Sequence, residues 1–138
     1  MDKPFSKDQM KQALLAVEPK ITEKQMIMLQ ADYARRSISM ERLAYAAGFK
    51  GGYRIANIQY GTLCGRVASQ LGFTSPGSQT FTLATVSERR DAKGHFQWKL
   101  DDTVARAIEE LGWVCSPVTL ANNRSKKGPS ASKIRERR

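Results

Sequence analysis

The chain has 138 residues, 41% apolar and 26% charged, with 23 Lys or Arg against 13 Asp or Glu and a net charge of +10. Such a length makes one domain with a tail and buries roughly two thirds of its unfolded surface, so neither disulfides nor a structural metal is needed to hold it. Cys64 in an apolar helical pattern and Cys115 past a helix end stand at no metal-ligand spacing with each other or with the single histidine, so no metal or cofactor is expected and the default compartment is reducing.

No apolar run approaches the roughly 18 residues of a membrane span, and Met-Asp-Lys-Pro at the start has no apolar leader behind it. The sequence therefore predicts no membrane partner and a cytoplasmic location.

In chain order, Met10, Ala13, Leu14 and Val17 stand at helical spacing, with Ser6 as N-cap and Pro19 as a stop. Thr22 to Gln25 form a capping box for a second helix through Met26, Leu29 and Tyr33 towards Arg36. Met26, Met28, Leu29 and Tyr33 are assigned to the core rather than to a methionine-rich binding surface. Ser39 caps a short helix, Met40 to Ala47, with Met40, Leu43, Ala44 and Ala47 on its apolar side; Gly48 supplies the left-handed stop and Phe49 packs back. After the turn Lys50-Gly51-Gly52-Tyr53, the helical pattern resumes over about Arg54 to Leu71, with Ile55, Ile58, Leu63, Val67 and Leu71 expected to face inwards. Gly61 and Gly65 inside it each cost about 1 kcal/mol relative to Ala, which predicts a close neighbour there.

Beyond a loop from Thr74 to Ser78 the period becomes two. Phe81, Leu83 and Thr85 share one face and Phe96, Trp98 and Leu100 another, separated by Glu88 to Gly94, which predicts a β-hairpin with a charged tip. Asp101 or Asp102 caps a last helix carrying Val104, Ala105, Ile108 and Leu111, and Gly112 ends it before Trp113. Residues 122–138 hold seven basic groups (Arg124, Lys126, Lys127, Lys133, Arg135, Arg137, Arg138), one acid, Glu136, and one large aliphatic, Ile134. That segment carries +6 and is predicted to be disordered, leaving +4 on residues 1–121. The expected class is mainly α with a β-hairpin, α+β, in one domain over 1–121.

The order helix, helix, helix-turn-helix, hairpin, helix resembles the winged helix-turn-helix superfamily between Ser39 and Leu100, with Leu43-Ala44 and Gly48-Phe49 resembling the first helix and turn. Gly51-Gly52 makes the turn longer than the family's usual one. A narrower set is similar to a module associated with restriction-type HNH endonucleases of bacteria and phages: Ala47-Gly48-Phe49, Tyr53, Ala56-Asn57, Gln59-Tyr60-Gly61, Leu63, Gly65-Arg66, Gly94 to Trp98, and Leu111 to Val114. It stands here without a nuclease. This resemblance implies a DNA-facing or defence-related role in a bacterial cytoplasm or phage-infected cell, and it brings no catalytic residues.

The residues themselves hold no catalytic constellation. His95 has no orienting partner in the pattern, Asp101-Asp102 fit a helix cap, Glu109-Glu110 fit a solvated face, and Gly48 to Gly52 lack the Lys-Ser/Thr ending of a phosphate loop. No enzymatic activity is expected. The helix-turn-helix resemblance implies base contacts at the start of its second helix, from Tyr53, Arg54, Asn57 and Gln59: Arg54 suits guanine, and Asn57 or Gln59 suits adenine. Arg89, Arg90 and Lys93 at the hairpin tip, Lys50 and Arg66 on the flanks, and Arg124, Lys126 and Lys127 in the tail would meet phosphates. The bland alternative stays open, in which Asn57 and Gln59 solvate the helix start, and Tyr53 and Tyr60 are core aromatics with surface hydroxyls.

The expected function is therefore non-enzymatic binding of nucleic acid, double-stranded DNA first. The alternative is a small phage or mobile-element inhibitor or adaptor that binds a protein or ribonucleoprotein such as a bacterial defence nuclease; at +10 it is no DNA mimic. A monomer and a homodimer both fit, since the two N-terminal helices can pack within one copy or between copies. If the tail is an arm on phosphates, deleting residues 122–138 will flatten the salt dependence of duplex binding by up to about 0.9 in the log–log slope for each phosphate that the tail neutralises. An unchanged slope in that titration makes the tail a bystander.

Overall fold

Two reciprocal caps start the fold. In the computed structural model, which describes residues 3–75 and 77–114, the Ser6 hydroxyl accepts the Gln9 N–H while the Gln9 side chain accepts the Ser6 N–H, opening α1 (Lys7–Val17). Thr22 and Gln25 repeat the device for α2 (Glu23–Arg35). As expected, α1 ends before Pro19, which sits in a 3-10 turn, Glu18–Lys20, at a position where no N–H is required. Cys115 and the basic tail, with Arg124, Lys126 and Lys127, lie outside the described residues.

Arg36, at φ +69°, turns the chain out of α2 into β1 (Ser37–Ser39), and the Ser39 hydroxyl accepts the Arg42 N–H to open α3 (Met40–Ala47). Gly48, at φ +79°, ends α3, with the Phe49 N–H on the Ala44 carbonyl at 2.9 Å. Residues 48–52 join α3 to α4 (Tyr53–Leu71). A 3-10 turn (Gln79–Thr82), β2 (Ala84–Arg90), β3 (Phe96–Leu100) and α5 (Asp102–Glu110) complete an α+β fold.

The sheet has three antiparallel strands in the order β1-β3-β2, with Ile38 and Val86 flanking Trp98. Between Val86 and Arg90 the register slips, so that Arg90 faces Phe96; the extra residues on β2 bulge and twist the end of the hairpin. Three expectations need correction here. The strand β1 was not expected, because three residues running straight into a helix are too few to show a period of two. Phe81 and Leu83 belong not to β2 but to the 3-10 turn and its end, where Ser78 caps the Thr80 N–H and Phe81 meets Trp98 edge-on at 5.2 Å. The hairpin tip is shorter than predicted: only residues 91–95 turn, held by the Asp91 carboxylate, which accepts the N–H groups of Lys93 and His95 at 2.9 Å.

The core runs from α1 (Leu14) through α2 (Met28, Leu29), α3 (Leu43) and α4 (Leu63, Val67) to α5 (Val104, Ile108), all fully buried. Here α4 corrects the sequence reading most. Ile55 and Ile58 do not face inwards; they are 38% and 61% exposed, and Ala56, Tyr60, Leu63, Cys64 and Val67 form the buried stripe. The cause is polar. Tyr60 has no surface hydroxyl: it is buried, and its O–H donates to the Asp32 carboxylate of α2 at 2.8 Å. The buried Gln25 amide adds a second α2–α4 tie, donating to the Gln59 carbonyl at 3.1 Å. Among the described residues, Gly61 meets nothing within 4 Å of a Cβ and Gly65 meets the Gln79 side chain at an ordinary 3.7 Å, so no close neighbour within this part of the chain requires either glycine. Asp101 makes no cap hydrogen bond; its carboxylate pairs instead with Lys3, which also donates to the Phe81 carbonyl. Among the described residues no helix is long and apolar enough to cross a membrane.

Asp32 is wholly buried, its second oxygen has no hydrogen-bond partner among the described residues, and burial pushes its carboxyl up to about 7. The folded state thus holds this proton between pH 3.8 and about 7 while the unfolded chain releases it, so stability falls as pH rises through that window. The loss approaches roughly 4 kcal/mol and is complete above the folded value. In chemical denaturation across that range, Asp32→Asn will show a flatter pH dependence than the parent, with the two curves diverging towards neutral pH.

Candidate nucleic-acid interface

The hairpin tip leans on the start of α3. One Glu41 carboxylate oxygen lies 3.6 Å from the Lys93 ammonium and 3.8 Å from His95 Nε2, which sets the tip beside the helix pair. The tip's own cations are held differently. The Arg90 guanidinium lies 4.1 Å over the Phe96 ring and donates to the Gly94 carbonyl at 3.2 Å, so it is laid flat along the hairpin rather than free to sweep. Hydrogen bonds from the His95 and Lys93 backbone hold the Asp91 carboxyl below its usual range, which keeps the tip turn's acceptor charged.

Two depressions open between these elements. One, of about 330 Å³, lies between Glu41, Arg42 and Tyr45 of α3 and residues 91–93 of the tip. The other, of about 230 Å³, is a cleft walled by Met40 and Glu41, by Tyr53 and Asn57 on the first turns of α4, and by His95, Phe96 and Trp98. Tyr45, Tyr53 and Phe96 are 89%, 53% and 54% exposed, an unusual amount of aromatic surface for so small an area.

The sequence candidates divide on this geometry. Tyr53 and Asn57 come together with the hairpin in the cleft, and Arg54 stands exposed on the neighbouring side of α4 with Ile58 and Thr62. Lys50, Arg89, Arg90 and Lys93 are exposed around them. Gln59 and Arg66 are not brought there. Gln59 is half-buried on the side tied to α2, and Arg66 donates to the Lys20 carbonyl at 3.1 Å, beside the 3-10 turn after α1. The sequence reading missed Glu41, Arg42, Tyr45, Phe96 and Trp98. The aromatic pair was visible as one strand face, but that α3 would supply the opposite wall has no local signal.

Charge is segregated along the chain. Between Glu41 and Glu88 there is no Asp or Glu, and the charged residues are Arg42, Lys50, Arg54 and Arg66. The acids gather instead on α1, α2 and α5, where Glu110 pairs with Lys7 and Lys11 and Glu109 accepts the Tyr33 hydroxyl at 2.6 Å. The start of α4 is open as well: Gly52, at φ +76°, is its N-cap and offers no side-chain acceptor, so no side chain caps the first N–H groups of the helix. Cys64 is buried in the core with its thiol pushed up by burial, away from the reactive range. No group of three or more His, Cys, Asp or Glu that could hold a metal occurs among the described residues.

No protein-family model, curated protein or solved structure matches the chain.

Because a methyl group at Gly61 has open space around it, Gly61→Ala will raise the stability of the free protein by about 1 kcal/mol, seen as a thermal midpoint a few degrees higher.

Proposed function

We propose that this protein is a non-enzymatic winged helix-turn-helix protein that binds double-stranded DNA. The observation that carries the reading is the arrangement of α2, β1, α3, α4, β2 and β3 with strand order β1-β3-β2: two helices joined by residues 48–52, a turn longer than the family's usual one, the second flanked by a hairpin braced through a third strand. In this reading α4 enters the major groove and the hairpin is the wing.

The chemistry along α4 suits that role. It has no acidic residue, and its solvent side offers Arg54 for guanine, the Ile58 side chain for a thymine methyl, and at Gly61 a stretch of bare backbone. The open helix start, Lys50, Arg89, Arg90 and Lys93 supply phosphate contacts on both sides. Gln59 and Arg66, turned to other flanks, take no part. One feature favours the second reading, an adaptor or inhibitor on a protein or ribonucleoprotein: Tyr45, Ile55 and Ile58 expose more apolar surface than phosphate contact requires.

Anisotropy titrations with duplex DNA test the choice. Replacing Arg89, Arg90 and Lys93 together with Ala will weaken binding to all sequences alike and lower the salt slope, whereas Arg54→Ala will lose about 1–3 kcal/mol on a preferred site and little elsewhere. Gly61→Ala, though more stable, will bind less tightly, because its methyl meets the DNA. Absence of duplex binding by the parent protein, with capture of a protein partner that Ile58→Asp abolishes, overturns the DNA reading in favour of the adaptor.

A further inference from the structure

We propose that the cleft between α3, the start of α4 and β3 binds a single unstacked nucleobase, one that carries an amino group. The inference rests on the nucleic-acid reading above and adds a second site to it, separate from the solvent side of α4.

Its volume sets the scale. About 230 Å³ is below the roughly 300–1,000 Å³ of pockets for drug-sized ligands, so it suits one ring system and not a cofactor or a peptide segment. Its walls set the chemistry. Tyr53, Phe96 and Trp98 offer flat aromatic surface, and of these Tyr53 and Phe96 are more than half exposed, an arrangement suited to stacking a ring. Asn57 lines the same cleft, and its side chain makes no hydrogen bond among the described residues. Glu41 keeps one carboxylate oxygen uninvolved in its contacts with Lys93 and His95.

These groups exclude other ligands. A phosphate or carboxylate inside the cleft meets the Glu41 carboxylate. A cationic ligand, which aromatic walls and a carboxylate would otherwise suit, meets the Arg90 guanidinium over Phe96 and the Lys93 ammonium beside Glu41. An acyl chain covers the Asn57 amide and the second Glu41 oxygen without offering either a partner. A neutral base fits all three conditions: its faces stack, its amino group donates to Glu41, its ring nitrogens or carbonyl pair with Asn57, and the phosphates on either side reach the basic rim. The base comes either from a single strand or from a duplex in which it has left the stack.

Three probes separate the possibilities: a fully paired short duplex, the same duplex with one adenine opposite an abasic site, and the single strand. The unpaired adenine should bind about tenfold more tightly than its paired counterpart, and in both Tyr53→Ala and Phe96→Ala the ratio of the two affinities should fall to about one. Purine lacking the amino group, placed opposite the abasic site, should lose most of the preference, and Glu41→Ala, which removes the acceptor, should erase the difference between the two bases. Thermal melts establish that the variants are folded. Equal affinities of the parent for the paired and unpaired probes, or a preference that survives both aromatic variants, overturn the cleft and leave the duplex reading standing. Single-strand binding that depends on Tyr53 and Phe96, without paired-duplex binding, supports the cleft and overturns the duplex reading; no binding to any probe overturns both.

Discussion

One buried hydrogen bond decides which side of α4 meets the solvent. Tyr60 reaches Asp32 at 2.8 Å in a part of the core where neither group touches water, and this contact, with the Gln25–Gln59 tie, settles the rotation of the helix. A rotation that buried Ile55 and Ile58 instead would carry the Tyr60 ring out of the core and leave the Asp32 carboxyl alone in an apolar surround, losing the ring's burial as well as about 1–3 kcal/mol for the unpaired group. The pair is not a cheap source of stability, since burial already pushes Asp32 up to about 7. Its effect is specificity. With Ala56, Tyr60, Leu63 and Val67 turned in, Arg54, Ile58 and Gly61 are turned out.

The hairpin depends on a second, weaker set of constraints. The Glu41 contacts at 3.6 and 3.8 Å are solvent-exposed and contribute little to stability, yet they place the tip beside α3. More rigid is the strand β1, whose Ile38 pairs with Trp98 and whose Ser39 opens α3, so that β3 and the start of α3 are fastened to the same three residues. The cleft therefore has one wall on β3 and another on α3 that cannot move far apart. The bulge before Arg90 then turns its guanidinium over Phe96, placing a charge directly at the cleft's edge.

Local chemistry was legible in the sequence, and tertiary choice was not. The caps at Ser6, Thr22 and Ser39 and the glycine stops at 48 and 72 were readable because each depends on residues within four positions of one another. The rotation of α4 was misread although the spacing carries it: Ala56, Tyr60, Leu63 and Val67 keep steps of three and four residues along one stripe, whereas Ile58 stands five and nine residues from Leu63 and Val67 and falls off their face. Phe81 and Leu83 imitated a strand because two residues apart is also a spacing that a 3-10 turn and its exit can present. Of the candidate interface residues, chosen from charge and position, Tyr53, Arg54, Asn57, Lys50 and the tip cations are all exposed, with Tyr53 and Asn57 in the cleft. Arg66 and Gln59 lie on other flanks of α4, and Glu41 gave no sign, since an acid in the first turn of a helix is accounted for by the helix dipole alone.

The two proposed contacts share one helix turn, and that proximity constrains how they work together. Arg54 and Asn57 are three residues apart, the first on the solvent side of α4 and the second in the cleft. A base that enters the cleft must leave its stack within reach of the same turn that reads its neighbours, so the cleft can act only where the duplex is already weak or open. Unstacking costs a few kcal/mol for an intact pair and least for a mismatched or damaged one. Aromatic stacking returns about 1–3 kcal/mol, not enough to extract a well-paired base but enough to hold one that is already loose. On the proposed reading, that balance would make the cleft a sensor of unpaired bases beside a duplex grip, rather than a device for opening DNA.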